Sequence, residues 1–425
     1  MSSRNGRREF IKSGALAGLG ALSSAGRARA AGRLHARAGG TRFGAVAAPD
    51  KLEERALRGL KLFTDWLAAN SAKGFIGELG FPGDRNKLDE YNCGRTPRRF
   101  KDDYVKWNNL AEAWFRRADE AKLWATIWAT GEWWGDYTLA VYKKSSESAP
   151  SVNATNTQSL VFERHLSTPD YERGITVAGG EFGANSGTEE TLRKFSNRKP
   201  GVYEDDYHYD TQATFDYLAA RGVTLVRIPF RWERIQPRLL GALDAAELRR
   251  LREAVERARK SRAGMPRGMK VILDVHNFGA YYEDADGSGK GKRRDFRERN
   301  FAQYLVDLWA RLSAEFKAVP DVFYGLMCEP VDPETEKDVR RTAMTEAWEA
   351  ACQQTLDKIR ASGDNKLILL SGYLWSGVLN WGTQHPRGWV KDPQNNVLYE
   401  AHHYWDSDSS GHYCLSYDDE LRRIG

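Results

Sequence analysis

Cysteine is scarce: Cys93, Cys328, Cys352 and Cys414 are the four in 425 residues, and their spacings match no metal-ligand pattern. No metal or cofactor is expected on that basis. Cys352 lies on an apolar helical face with Trp348, Leu356 and Ile359 and reads as core. Long apolar runs are also missing. The best, Ser13 to Gly26, is too short to span a bilayer. There is no phosphate loop, since neither Gly279 nor the run Gly287 to Gly291 fits one, and no 20–50-residue repeat of the kind that builds solenoids. Charge of one sign is lacking too. The net +6 includes a surplus of five from Arg4, Arg7, Arg8, Lys12, Arg27 and Arg29 against Glu9, so the rest of the chain carries about +1. Neither nucleic acid nor a membrane surface is indicated as a partner.

What those first residues do contain is order. Arg7-Arg8-Glu9-Phe10-Ile11-Lys12, the Ala/Gly/Leu-rich run and Ala28-Arg29-Ala30 resemble a twin-arginine export signal with a cleavage site. The expectation is a signal over 1–30, a linker over 31–50, one domain over 51–425, and delivery to the periplasm or outside. Such a destination permits a disulfide.

Fourteen Trp are many for this length and suit either sugar-stacking platforms or core filling. Helical spacing marks 51–70 (Ala56, Leu60, Phe63, Leu67) and further segments near 107–121, 211–221, 301–316 and 342–361, with another opening at Asp244 (Leu248, Leu251, Val255). Between them lie eight short apolar runs beginning near 74, 123, 174, 223, 269, 322, 366 and 396. Such alternation predicts a parallel sheet, and eight repeats suit an α/β barrel. Residues 143–157, rich in Ser, Asn and Thr, read as a surface connection. The run Val322 to Pro330 reads as a buried strand with Glu329 at its C-terminal tip, and Gly74 to Gly80 as another carrying Glu78. In such barrels the strand tips hold the chemistry.

Five ordered motifs carry a resemblance: Gly174-Ile-Thr-Val-Ala-Gly-Gly-Glu-Phe-Gly183, Arg227 to Pro237, Asp274-Val-His-Asn-Phe-Gly279, Gly325-Leu-Met-Cys-Glu-Pro330 and His402 to Gly411. Together they resemble family 5 glycoside hydrolases, most of all the endo-β-1,4-glucanases. The resemblance implies a (β/α)8 TIM barrel in which strand four ends in Asn-Glu-Pro and strand seven supplies a nucleophilic Glu. Here Gly77-Glu78-Leu79-Gly80 resembles strand seven, and Ile127-Trp128-Ala129-Thr130-Gly131 resembles strand eight. The expected fold is therefore a circularly permuted barrel, with strands seven and eight preceding strand one. An accessory module over 51–137 beside a truncated barrel is the competing arrangement, disfavoured by its open sheet edges.

The implied chemistry is retaining hydrolysis of internal β-1,4-glucosidic bonds, with Glu78 as nucleophile and Glu329 as acid/base. Arg227, His276, Asn277, Cys328, His402 and Tyr404 are the implied substrate- and nucleophile-contacting residues. Trp128, Trp232, Trp375 and Trp405, with Trp133 and Trp381, are candidate sugar platforms. Glu181 imitates the nucleophile motif but follows the first strand, so it is read as structural. Cys328 departs from the family's Asn, whose amide contacts the sugar 2-hydroxyl. That departure keeps two alternatives open: a β-mannanase or other β-glycanase, and a carbohydrate-binding pseudoenzyme. Under the permutation Cys93 and Cys414 fall in loops after adjacent strands, so a disulfide between them is a hypothesis. The expected partner is a polysaccharide or oligosaccharide, and the expected state a monomer.

Overall fold

A computed structural model describes residues 48–84, 103–135, 137–183, 195–262, 267–288, 292–334 and 339–424. The expected signal, most of the linker and Cys93 lie outside them.

Eight strands form the barrel: β1 (Gly74–Glu78), β2 (Trp124–Thr130), β3 (Arg173–Val177), β4 (Leu225–Phe230), β5 (Lys270–Val275), β6 (Val322–Gly325), β7 (Ile368–Ser371) and β8 (Val397–His402). Each pairs in parallel with its neighbours in sequence. The ring closes where β1 pairs with β8, Gly74 opposite Tyr399 and Ile76 opposite Ala401. Closure removes both sheet edges, which is why every strand can be apolar along nearly its whole length. Phe75, Leu225, Ile272, Leu369 and Leu398 make a separate apolar plug inside the ring, drawn from five strands.

Seven helices of eight or more residues are present among the described residues: α1 (Lys51–Ala69), α2 (Asp103–Glu120), α3 (Gln212–Ala220), α4 (Ala245–Lys260), α5 (Phe301–Phe316), α6 (Ala343–Ala361) and α7 (Tyr417–Ile424). Asp50 caps α1 by accepting from the amides of Leu52 and Glu53, and Leu52, Ala56, Leu60, Phe63 and Leu67 form its buried stripe. At Gly59 this helix comes so close to the barrel that an added Cβ would lie 2.8 Å from His403 Nε2. No helix of the described residues is long and apolar enough to cross a membrane.

Two local expectations need correction, and one element was not anticipated. β6 stops at Gly325, not at Pro330, because Leu326 to Cys328 leave the ladder; Cys328 N still donates to Val275 O at 2.8 Å, so the segment stays pinned to β5. Residues 143–157 are not mere surface connection, since Tyr142–Lys143 extends the sheet beside β2 and pairs with Ala154–Thr155. A ribbon of Ala280–Glu283 against Lys292–Asp295 follows β5 and has no counterpart in the sequence reading. Cys414 is disulfide-bonded, while Cys328 and Cys352 are free and buried.

Candidate active site

The carboxyl ends of the strands deliver their polar residues to one point. Glu78 ends β1, and its Oε1 accepts from Arg227 Nη1 at 2.5 Å while its Oε2 accepts from the Tyr404 hydroxyl at 2.8 Å. Arg227 comes from β4 and is fully buried. Its Nη2 lies 3.1 Å from Asp274 and 3.5 Å from Glu400, so one guanidinium is shared among three carboxylates from three strands. These partners keep it cationic against the pull of burial.

Glu329 follows β6 with a left-handed backbone, φ +46°, the kind of strained setting that clusters at functional sites. Its Oε1 is 2.6 Å from His402 Nδ1, and the same nitrogen is 3.7 Å from Glu78 Oε2. The two glutamate oxygens are therefore at most about 6.3 Å apart, the sum of those distances. Burial pushes Glu78 up, but His402, Arg227 and His276 outweigh it and hold its carboxyl well below the usual range. Glu329 goes the other way: burial and the charge of Glu78 raise it despite its bond to His402. His402 is pushed up to about 10, Glu78, Glu329 and Glu400 together overcoming the cost of burial, and stays cationic at neutral pH.

His276 is held at Nδ1 by Asp274 Oδ2, 2.9 Å away, and turns Nε2 toward Cys328 Sγ at 3.9 Å. The Cys328 thiol points at Glu78 Oε1, 3.6 Å distant. Trp128 stacks on the His276 ring with centroids 5.5 Å apart and forms a cis peptide with Ala129. Trp375, partly exposed, packs against Phe278.

The structure thus gathers Glu78, Glu329, Arg227, His276, Cys328, His402, Tyr404 and Trp128, with Trp375 one ring farther out, beyond Phe278. It does not gather Asn277, Trp232 or Trp405. Asn277 is fully buried and spends its side chain on Glu233, Ala280 O and Trp232 N. Trp232 is 0% exposed, between Tyr281 and Phe301, and Trp405 is 1% exposed and stacked on Phe81. Neither indole face is open to a sugar, and Trp381 is likewise core against Phe63 and Trp66. Glu181 is buried and accepts from Gly179 N at 2.8 Å.

Two residues central to the site escaped the sequence reading, Asp274 and Glu400. Each sits two positions before a site histidine, Glu400 within β8 and Asp274 just before the end of β5, the period that puts both side chains on one face. A third missed feature lies beyond β2, where Glu132 accepts from Thr211, Thr214 and His208, and its amide donates to Asp210. Trp133 stacks on that His208. Burial and Glu132 push Asp210 up to about 8.

With this geometry in view, the family Cellulase (glycosyl hydrolase family 5) matches residues 184–422, which leaves β1 and its Glu78 outside the match. Endoglucanase 1 of Robillarda sp. is 28% identical over 261 residues, 58% of this chain and 63% of that protein. Endo-beta-1,4-glucanase B of Emericella nidulans is 28% identical over 248 residues, 57% and 63%. The chain thus spans a little under two thirds of the length of these relatives. Among solved structures, Pseudomonas stutzeri endoglucanase Cel5A in complex with cellobiose is 30% identical, covering 56% of this chain and 62% of that one, with a TM-score of 0.44. The chain belongs to glycosyl hydrolase family 5, the cellulase family.

Proposed function

We propose that the protein is an endoglucanase that cleaves β-1,4-linked glucan with retention, Glu78 attacking the anomeric carbon and Glu329 serving as acid and then base. The observation that carries this reading is the pair itself: two glutamates bridged by one imidazole, their proton affinities driven apart. Their closest oxygens, at most about 6.3 Å apart, suit the ~5–5.5 Å of retaining enzymes better than the ~6.5–9.5 Å that makes room for a water in inverting ones.

Each neighbour has a task. Arg227 keeps Glu78 ionised, and Tyr404 fixes the carboxylate plane by holding the second oxygen. His402 donates to Glu329 Oε1, which leaves the other oxygen to carry the proton to the departing glycosidic oxygen. Once Glu78 is esterified its charge is gone, and the repulsion that raised Glu329 goes with it. Glu329 then ends the first step as a carboxylate able to activate water.

We further infer that the barrel is the family's own in a new order. Glu78 reaches the site from β1, the first strand among the described residues, although its sequence context resembles the family's seventh.

The test is hydrolysis of soluble cellulose derivatives by wild type, Glu78→Gln and Glu329→Gln. Each substitution should lower kcat by about 10²–10⁴ or more. Unchanged activity in Glu78→Gln would remove both the mechanism and the permuted reading. Mannan hydrolysis is the second reading, favoured by Cys328, since a thiol is a poor partner for an equatorial 2-hydroxyl. Rates on β-glucan and β-mannan side by side decide between them.

A further inference from the structure

We propose that Cys328, His276 and Glu78 form a binding site for a thiophilic divalent cation, Zn²⁺ in class, beside the glutamate pair. One oxygen of Glu78, one ring nitrogen of His276 and the Cys328 sulfur all lie within 4.8 Å of one another, and all three residues are buried. The sulfur is shared with a second trio, Cys328, Glu329 and His402, that meets the same limit.

The distances suit a metal better than they suit the hydrogen bonds they replace. With Zn–S about 2.3 Å and Zn–N about 2.0 Å, tetrahedral ligands sit about 3.5 Å apart. Cys328 Sγ is 3.6 Å from Glu78 Oε1 and 3.9 Å from His276 Nε2, long for thiol hydrogen bonds but close to a tetrahedral edge.

A second observation points the same way. Asp274 Oδ2 takes His276 Nδ1 at 2.9 Å, which fixes the ring and presents Nε2 to the sulfur. A carboxylate behind the ligating imidazole is the usual outer support of a zinc site.

Binding is proton exchange without redox change. The thiol proton leaves to solvent as the S–Zn bond forms, and any proton on His276 Nε2 leaves with it. The cation must displace the thiol proton, so affinity rises with pH. Arg227, already on Glu78 Oε1, remains as a competing cation and makes the ion a reversible occupant. An Asn in place of Cys328 has no thiolate to offer, so the property belongs to this chain's own departure from the family pattern. Occupancy would take the attacking carboxylate out of use.

The purified full chain is titrated with Cd²⁺ as a spectroscopic probe, and with Zn²⁺ by calorimetry, both without substrate. The wild type should develop a sulfur-to-metal charge-transfer band that saturates at one ion per chain. Cys328→Ser and Cys328→Asn should each abolish the band and weaken Zn²⁺ binding at least 100-fold. Cys352→Ala should leave both unchanged. His276→Gln should keep the band with affinity at least tenfold lower. A wild type without the band, or a band or Zn²⁺ affinity that survives in both Cys328 variants, overturns the proposal. Because no substrate is present, the hydrolytic reading stands or falls separately.

Discussion

Glu78 and Glu329 are chemically the same residue, and what separates them is whom they touch. Glu78 has a guanidinium and a cationic imidazole against it, while Glu329 has that imidazole and the charge of Glu78. The signs fix a pH profile. The proposed mechanism needs Glu78 ionised, satisfied above its lowered pKa, and Glu329 protonated, satisfied below its raised one. kcat/KM should therefore be bell-shaped, with an alkaline limb above the ordinary glutamate range. His402 lowers both carboxyls, so His402→Ala should move both limbs to higher pH, read from kcat/KM against pH on a soluble substrate. Limbs that stay put would mean that other groups titrate. The tryptophans divide in the same way. Trp232→Ala should cost about 3–5 kcal/mol as a core truncation, seen in denaturant melts, with KM little changed among molecules still folded. Trp128→Ala, which removes the ring stacked on His276, should raise KM as well as lower stability. Position in the sequence did not separate these two, since both lie at strand ends. Which way an indole turns depends on neighbours such as Tyr281 and Phe301 that meet it only in three dimensions.

At the scale of elements, β1 and β8 work as a pair. Glu400 sits inside the ring because Gly77 beside it has no side chain: a Cβ there would fall 1.9 Å from Glu400 Oε1. Gly77→Ala should displace the Glu400 carboxylate from Ser371 and Arg227, costing about 1–3 kcal/mol by overpacking and lowering kcat through a less well-held Arg227. A thermal melt and a kcat measurement check it, and an unchanged melt would show that the ring has slack at that point. The loop after β7 is also tightly specified, with Leu374, Trp375 and Ser376 all left-handed and Ser376 O accepting from His402 N at 2.7 Å. Elements built on periodicity were plain in the sequence. The stripe of α1 and all eight strands emerged from spacing and β-branched runs. What was not plain was the departure of Leu326 to Cys328 from the ladder, where apolar residues continue but the chain turns to aim Glu329. Hydrophobic pattern reports burial and is silent on where pairing ends.

For the whole molecule, the order of strands is a choice that the closed ring leaves free. Asp50 at the start of α1 accepts from the Tyr417 hydroxyl of α7 at 2.8 Å, and Arg55 reaches the carbonyl of Asp406 at 2.9 Å. The segments flanking α1 and α7 are thus close in space. A rearranged chain that joins residue 424 to 50 through a short Gly/Ser linker and opens between Ser146 and Glu147, both exposed, should fold and keep at least about half of wild-type kcat/KM. A product that is soluble but inactive would show that the native order matters for more than connectivity. Circular dichroism and hydrolysis of a soluble glucan are the readouts. The same seam has a consequence in time. β1 emerges early in synthesis and must wait, unpaired on one side, until β8 has been made some 300 residues later. Such distant pairing slows folding and leaves an apolar strand edge open to aggregation in the interval. Glu78 is among the first of the gathered residues translated and cannot meet Arg227, Glu329 and Tyr404 together until the last of them has left the ribosome, so no shorter nascent chain holds the whole cluster.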